Sequence, residues 1–364
     1  SCFCAVAQLN NRMFEQRNPV HLADSGKLSF GLNTLAFTKN NEYFNKIADG
    51  FTLFGYQLNP YISYQPLKNV QLDLGVYLQK DFGATGYQAI EPTYRFKYKN
   101  HGITLIFGTL EGSVSHRLIE PLYDFEKVLI DRLENGMQIV IDNESLFLDA
   151  WVDWQNMIFK GDDEQEEVTG GLSLKYKLLQ KGNLTFHIPG QLVIFHRGGQ
   201  IDANPNPLLT LINSSVGVES SWELGDGFFK RLNMSHHYVY YQEFESVRQE
   251  TFEDGSAIYL NLSVEMKPDL EIMLSYWKGH EFISIMGGQL YPSVSSTFKN
   301  PLFVDEEREL LIVRLMHNLK LADNLVLSTR FEPFFDPGNE RFEFSHGFYI
   351  NYTTDFVIGG KKKR

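Results

Sequence analysis

Cysteine is almost absent from this chain of 364 residues, and its two cysteines, Cys2 and Cys4, lie within the first four positions. No disulfide and no cysteine–metal site can therefore form beyond them. The triplet Ala5-Val6-Ala7 before Gln8 has the small-x-small pattern of a signal-peptide cleavage site, so we expect an export signal that ends at Ala7. An ordinary apolar N-terminus and a lipoprotein cysteine are the alternatives.

Long hydrophobic runs and an excess of basic charge are also missing. The densest apolar run is Leu310–Val313, far short of the roughly 20 residues that a membrane-spanning helix needs. The 33 Lys and Arg residues against 45 Asp and Glu residues give a formal net charge of −12, which argues against a nucleic-acid partner. A hydrophobic fraction of 43% and an aromatic fraction of 14% exclude a largely disordered chain.

The chain has instead a hydrophobic period of two residues. Apolar and polar side chains alternate along Val70–Gln79, as they do in a β-strand with one apolar face. The same alternation recurs from end to end and predicts sixteen strands, at residues 28–39, 51–65, 70–80, 87–98, 103–110, 137–142, 146–158, 168–179, 184–196, 208–222, 231–244, 256–266, 270–281, 308–319, 325–334 and 341–358.

The connections between these strands alternate in length. Seven are short and carry turn residues, as in Lys99–Gly102, and eight are longer and polar. We therefore predict an all-β fold, a closed antiparallel transmembrane barrel with short periplasmic turns and long extracellular loops. The predicted parts of the chain are a signal-peptide remnant at 1–7, an N-terminal periplasmic segment at 8–27, the barrel at 28–358 and a basic tail at 359–364.

A soluble β-sandwich also alternates and is the main alternative fold. The predicted strands are roughly 10–15 residues long, whereas strands of globular proteins are most often about 5–6 residues long. Aromatic residues such as Tyr64, Tyr240 and Phe356 recur at the ends of the apolar faces, where they match the interfacial girdles of membrane barrels. Both observations favour the barrel.

The Ala5-Val6-Ala7-Gln8 site, the alternating strands and the aromatic-rich last strand resemble a Gram-negative outer-membrane β-barrel, of a style similar to those of Bacteroidota. The resemblance covers nearly the whole chain and is architectural. It implies a location in the cell outer membrane, with outer-membrane lipid and lipopolysaccharide as partners. One departure is that Gly359–Arg364 follows the last strand, whereas many such proteins end on an aromatic residue.

Sixteen strands are enough to enclose an aqueous lumen. The sequence therefore favours a porin-like channel for passive diffusion of small polar solutes, and the alternative is a plugged barrel that serves as a structural subunit of a secretion, assembly or surface complex. Both signs of charge occur on the inward face, so no simple anion or cation filter is indicated. The sequence leaves open whether the protein forms a homo-oligomer or binds another partner in the membrane.

The loop at 111–136 carries too many apolar residues for a loop in water, among them Leu118, Leu122 and Phe125. We expect it to fold into or over the lumen, and an extracellular cap is the alternative. The candidate lumen-lining or constriction residues, from this loop and from the inward faces of strands, are Arg117, Glu120, Asp124, Glu126, Arg132, Asp73, Arg95, Asp149, Trp151, Asp153, Arg314 and Arg330.

Catalytic motifs are weak in this sequence. Ser113, Ser115 and His116 lie close together, but there is no nucleophile elbow and no HExxH motif. His236 and His237 point to opposite faces of a strand and cannot chelate one ion. The sequence therefore predicts no enzyme activity, no catalytic residues, no cofactor and no metal site.

Overall fold

The alternating residues form the wall of a closed barrel. The computed structural model describes residues 10–360, in which sixteen strands pair antiparallel in chain order and β1 closes the sheet against β16. The strands are β1 (Lys27–Glu42), β2 (Thr52–Leu67), β3 (Val70–Asp81), β4 (Ala89–Asn100), β5 (Ile103–Thr109), β6 (Asn135–Asp142), β7 (Leu146–Asn156), β8 (Glu167–Lys181), β9 (Leu184–Arg197), β10 (Leu209–Glu223), β11 (Phe229–Glu243), β12 (Asp254–Met266), β13 (Leu270–His280), β14 (Glu307–Ala322), β15 (Leu325–Asp336) and β16 (Arg341–Gly360). The helical segments are short: 3-10 turns at Arg12–Phe14, Leu22–Asp24 and Ser113–His116, and the helix α1 at Lys127–Ile130.

The predicted fold class and the predicted number of strands are confirmed. Each predicted strand is present within a few residues of its expected bounds. No helix within residues 10–360 is long and apolar enough to cross a membrane. The predicted signal remnant at 1–7 and the last four residues of the predicted basic tail lie outside the described residues.

Turn chemistry sets the short connections. Between β4 and β5 only His101 and Gly102 remain, with φ angles of 47° and 83°. Two successive residues in the left-handed region form the turn that matches the twist of a tight hairpin. A glycine is well suited to the second position because it has no Cβ to clash.

The two faces of the wall differ in composition. On β13 the side chains of Met273, Ser275 and Trp277 are buried inside the barrel, whereas Ile272 and Leu274 on the outside are 41% and 42% exposed. Exposed apolar side chains of this kind recur on the outer face of most strands. Closure of the sheet pairs the backbone groups that lipid could not satisfy, so the outer face suits a membrane.

The strands of the barrel wall are shortest at β5 and β6, which have only 7 and 8 residues. Gly108 lies at the end of β5 with φ of 98°, and a Cβ there would lie 2.2 Å from the backbone oxygen of Tyr94. This close approach lets the chain leave the sheet at that point. Residues 110–134 then fold into the barrel, where Leu122, Val128 and Leu129 are fully buried.

A second long loop, residues 281–306, joins the first one inside the barrel. Its Phe282, Met286 and Tyr291 belong to the same buried apolar cluster as Ile119 and Leu122 of the first loop. Hydrogen bonds connect the two loops directly: Gly288 N–H donates to Glu120 O over 3.0 Å, and Asp124 N–H donates to Met286 O over 2.8 Å. We call residues 110–134 and 281–306 together the plug.

The segment before β1 contacts the plug from the end of the barrel that carries the short turns. Phe14 is 1% exposed and packs edge-on against Phe125 of the plug and Tyr349 of β16, at 4.9 and 5.1 Å between ring centroids. Arg132 of the plug donates a hydrogen bond to the backbone oxygen of Phe14. The lumen is therefore occupied by side chains from three separate parts of the chain.

Candidate functional site

One wall arginine holds both loops of the plug. Arg314 of β14 is 2% exposed, forms an ion pair with Glu120 and donates to the hydroxyl of Tyr291 over 2.9 Å. Tyr291 in turn donates to Glu120 Oε2 over 2.5 Å. Glu332 on the neighbouring strand lies 3.2 Å from the same guanidinium. Arg314 is thus a residue of the barrel wall that binds both loops of the plug, through Glu120 and Tyr291.

A second ion pair ties the plug to β1. Lys39 Nζ lies 2.6 Å from Glu126 Oε1, and Asn41 donates to the same oxygen over 2.7 Å. Asp124 accepts from the backbone N–H of Glu126 over 2.9 Å, which fixes the start of α1. The carboxylates of the plug therefore face the basic side chains of β14 and β1.

His116 lies in a closed polar cluster and not in a catalytic one. Its Nε2 is 2.6 Å from Glu134, its Nδ1 is 3.0 Å from Asp149, and its ring stacks on Trp151 at 3.7 Å. Burial opposes the charged imidazole, but the two carboxylates outweigh it and raise the pKa of His116 to about 10. A charged, fully buried imidazole has no lone pair for Ser113 or Ser115, so this group cannot act as a general base.

The other predicted lumen residues make structural contacts at several depths. Arg95 donates to the backbone oxygens of Thr109 and Leu110 over 2.7 Å each, which anchors the point where the plug begins. Arg117 reaches Asp142 near the opposite end, 3.2 Å away. The remaining contacts are Asn18 to Asp73, Asn135 N–H to Asp153, Arg132 to Phe14 O, and Arg330 over the ring of Phe125.

These twelve residues do not converge on one narrow opening. Glu120 meets Arg314, and Asp149 and Trp151 meet at His116, whereas Asp73, Arg117 and Asp153 lie in separate contacts. The sequence did not indicate that 281–306 would share the lumen with 110–134. Its apolar residues Phe282, Ile283, Met286 and Leu290 were the available signal.

Below the plug lies a vestibule at the short-turn end of the barrel. It has a volume of about 620 Å³. Its wall is rich in charge of both signs, including Arg231, Glu265, Glu271 and Lys320, and Arg12 of the N-terminal segment borders it. The vestibule is large enough for a small polar molecule.

A different group of polar residues lies on the outer, lipid-facing surface near the long-loop end. Ser256 of β12 pairs in register with His280 of β13, which pairs in register with Glu307 of β14. Ala257 and Trp277 face the buried cluster inside the barrel, so Ser256 and His280, at odd spacing from them, face outward. We call Ser256, His280 and Glu307 the serine row.

The serine row has the order of a nucleophile, a base and an orienting acid. His280 Nδ1 lies 2.7 Å from Glu307 Oε1, which fixes the ring and leaves Nε2 for proton transfer. Directly opposed residues of antiparallel strands have Cβ atoms about 4.5–5.5 Å apart, so Ser256 and His280 are within reach of each other. One row nearer the membrane centre, Lys278 also faces outward; Tyr276 faces outward one row further and donates to Glu309 over 2.7 Å.

A second hydroxyl lies on the same outer rim. Thr210 of β10 donates to Glu245 over 2.7 Å, and His196 Nδ1 lies 2.9 Å from the same hydroxyl. Sequence reasoning missed both groups, because their members are separated by up to 51 positions and only the strand register brings them together. The alternation of side chains along each strand placed these residues on the outer face, among residues expected to face lipid.

The chain matches the sequence profile of the family described as lipid A 3'-O-deacylase-type over residues 20–361. No curated protein matches it. This match overturns one expectation: the prediction that the protein is not an enzyme is wrong, because the matched family is an enzyme family.

Several solved structures share the fold. A loop-deletion mutant of OmpT, an outer membrane protein of Vibrio cholerae, has a TM-score of 0.55 and 14% identity, covering 91% of this chain and 100% of that one. OprD from Pseudomonas aeruginosa has a TM-score of 0.53 and 11% identity, covering 91% and 95%. An anion-selective porin from Comamonas acidovorans has a TM-score of 0.52 and 8% identity, covering 90% and 100%. The predicted outer-membrane barrel and its location in the outer membrane are confirmed, and the protein is surrounded by outer-membrane lipid.

Proposed function

The chain belongs to the lipid A 3'-O-deacylase-type family, and on that premise we propose that it hydrolyses an acyl ester of a glycolipid in the outer leaflet of the outer membrane. The observation that carries this proposal is the serine row, in which Ser256, His280 and Glu307 lie side by side on three consecutive strands. The row lies where the long loops begin, and in outer-membrane barrels that end faces the cell exterior.

The proposed reaction passes through an acyl-serine. His280 takes the proton of Ser256 Oγ while that oxygen attacks the carbonyl carbon of the ester. The carbon–oxygen bond to the sugar breaks, and His280 returns the proton to the leaving sugar oxygen. Water then attacks the acyl-serine with His280 again as base, which releases the fatty acid and restores Ser256.

The surroundings of the row suit a substrate embedded in lipid. Ile258, Leu260 and Leu274 lie below it on the outer face and offer an apolar surface for the acyl chain. The ammonium group of Lys278 supplies positive charge beside the ester, where a tetrahedral intermediate develops an oxyanion. Glu307 holds His280 in the tautomer that has a free Nε2.

The test uses the purified protein in detergent micelles with lipid A and follows loss of acyl chains by mass spectrometry. Ser256→Ala should lower the rate by at least about a thousandfold, because the nucleophile is removed. Ser214→Ala is the matched control: Ser214 faces outward on β10 between Leu192 and Tyr240, with no histidine opposite it. Its rate should equal that of the unchanged protein.

Two outcomes would reject this site. Full activity of Ser256→Ala would show that Ser256 is not the nucleophile. Loss of activity in Thr210→Val with retention in Ser256→Ala would move the reaction to the hydroxyl between His196 and Glu245.

A second candidate function is a channel for small polar solutes, and the vestibule of about 620 Å³ favours it. The plug closes the lumen above this vestibule, so conduction requires the plug to move. Deletion of residues 118–132 should raise single-channel conductance in planar bilayers. A protein that stays silent after this deletion would instead fit the plugged barrel that serves as a structural subunit.

A further inference from the structure

We propose that the plug carboxylates Glu120 and Glu126 occupy binding sites for small organic anions, so that the closed lumen is an anion pathway blocked by its own side chains. The proposal rests on the second candidate function, the channel, and is independent of ester hydrolysis. The solutes that this lumen would bind are therefore small molecules that carry a carboxylate.

The first support is the set of basic side chains that faces the plug. Four buried or nearly buried cations line one side of the lumen: Lys39, Arg308, Arg314 and Arg330, at exposures of 7%, 0%, 2% and 5%. They come from β1, β14 and β15, which lie on either side of β16. A charge buried this deeply is costly unless it is paired.

The second support is the way these cations are compensated. The wall itself supplies Asp336 to Arg308 and Glu332 to Arg314. Within residues 10–360, the ion pair of Lys39 is with Glu126 of the plug, and Arg330 has no ion pair and lies over the ring of Phe125 at 4.2 Å. Departure of the plug would therefore take the carboxylate from Lys39 and the ring of Phe125 from Arg330.

The third support is the geometry at Arg314. Glu120 contacts the guanidinium, which is the donor on the wall that a free carboxylate would use, and it accepts at the same oxygen from Tyr291 of the plug. The acidic groups that β15 and β16 turn inward on this side are Glu332, Asp336, Glu343 and Asp355, and Glu343 is engaged by Asn45 over 2.6 Å. With the plug displaced, Arg308 and Arg314 keep Asp336 and Glu332, whereas Lys39 and Arg330 are the cations of this set that have no ion pair within residues 10–360.

A carboxylate solute and the plug would thus compete for the same cations. Any molecule that binds the open state better than the closed one shifts the population toward the open state. A solute arriving through the loops would replace Glu120 at Arg314 and Glu126 at Lys39 without leaving either cation unpaired.

The experiment measures current through the full-length protein in planar bilayers under a KCl gradient. The unchanged protein should be mostly closed, and the double variant Glu120→Gln/Glu126→Gln should be open about tenfold more often, which corresponds to about 1.4 kcal/mol of lost closing free energy. The reversal potential of the open state should show a preference for chloride over potassium. Potassium acetate should raise the open fraction of the unchanged protein and have less effect on the double variant.

Asp131→Asn is the matched control, because Asp131 lies in the same loop with a side chain that is 63% exposed and paired with Lys127. It should leave gating unchanged. A heat-dependent shift in gel mobility shows that each variant has folded.

The outcomes separate the proposals. Silence after deletion of residues 118–132 would remove the channel function itself. A conducting deletion protein that prefers potassium, or a double variant that gates like the unchanged protein, would overturn the anion site and leave the channel standing. A conducting deletion protein that prefers chloride, and loses that preference on Lys39→Gln and Arg330→Gln, supports it.

Discussion

At the scale of single residues, the interior of this barrel depends on buried charges that are matched one by one. His116 is the clearest case, with one carboxylate on each ring nitrogen and Trp151 against its face. The side chain types could be found in the sequence, and the inward direction of Asp149 and Trp151 follows from parity. The contact between His116 and Glu134 could not be predicted from the sequence, because it depends on the path of a loop that has no hydrophobic periodicity.

We predict that His116 makes the attachment of the plug sensitive to alkaline pH. The pKa of His116 is raised to about 10 in the folded protein, against about 6.5 for a free histidine, so its stabilising charge is fully present below about pH 6.5 and is lost as pH rises through about 10. Hydrogen exchange of residues 113–134 should therefore accelerate near pH 10.

The matched comparison is His116→Gln against His236→Gln, since His236 is an exposed residue on the outer face of β11. His116→Gln should raise exchange even at pH 7, because Glu134 and Asp149 would share a buried site without a cation, a loss of about 3–5 kcal/mol. Equal exchange in the two variants at every pH would show that His116 does not hold the plug.

At the scale of elements, the plug forms because two loops fit together at one glycine. A Cβ at Gly287 would lie 2.0 Å from the backbone oxygen of Pro121, and Ser284 donates to that oxygen over 2.6 Å. The short β5 and β6 provide the entry for the first loop, and burial of its apolar residues inside the barrel keeps it there. An apolar loop inside a barrel is a tertiary feature, so strand periodicity predicted neither the contact nor the second loop.

We predict that Gly287→Ala separates the two loops without affecting the barrel. The added methyl group cannot be accommodated at 2.0 Å from a backbone oxygen, so residues 284–288 must move away from residues 120–124. A cysteine pair placed at Ser284 and Pro121 should cross-link readily in the unchanged background and poorly beside Gly287→Ala. Gly338→Ala is the control, since its nearest neighbours would be 3.5 Å away, an ordinary contact; equal cross-linking in both would contradict the role given to Gly287.

At the scale of the whole molecule, the sequence determines the wall far better than its contents. A period of two residues is a local property, so the alternation in segments such as Val70–Gln79 was enough to predict sixteen strands and their closure. The serine row required the register between β12, β13 and β14, which sets residues such as Ser256 and His280 opposite each other. The outer face was expected to meet lipid only, and a polar row at its rim has no periodic signature.

The barrel wall separates the two proposed functions, and this separation predicts that they can be lost independently. The serine row faces outward, whereas the plug and its contacts at Arg314 and Lys39 lie inside. Deletion of residues 118–132 should therefore open the lumen and leave the rate of lipid A deacylation within about twofold of the unchanged protein, because the pairing of β12, β13 and β14 sets the serine row in register without these residues. Ser256→Ala should abolish deacylation and leave bilayer currents unchanged. A deletion that stops deacylation would mean that loop 281–306, which joins His280 to Glu307 and packs against the deleted residues, carries the change to the serine row.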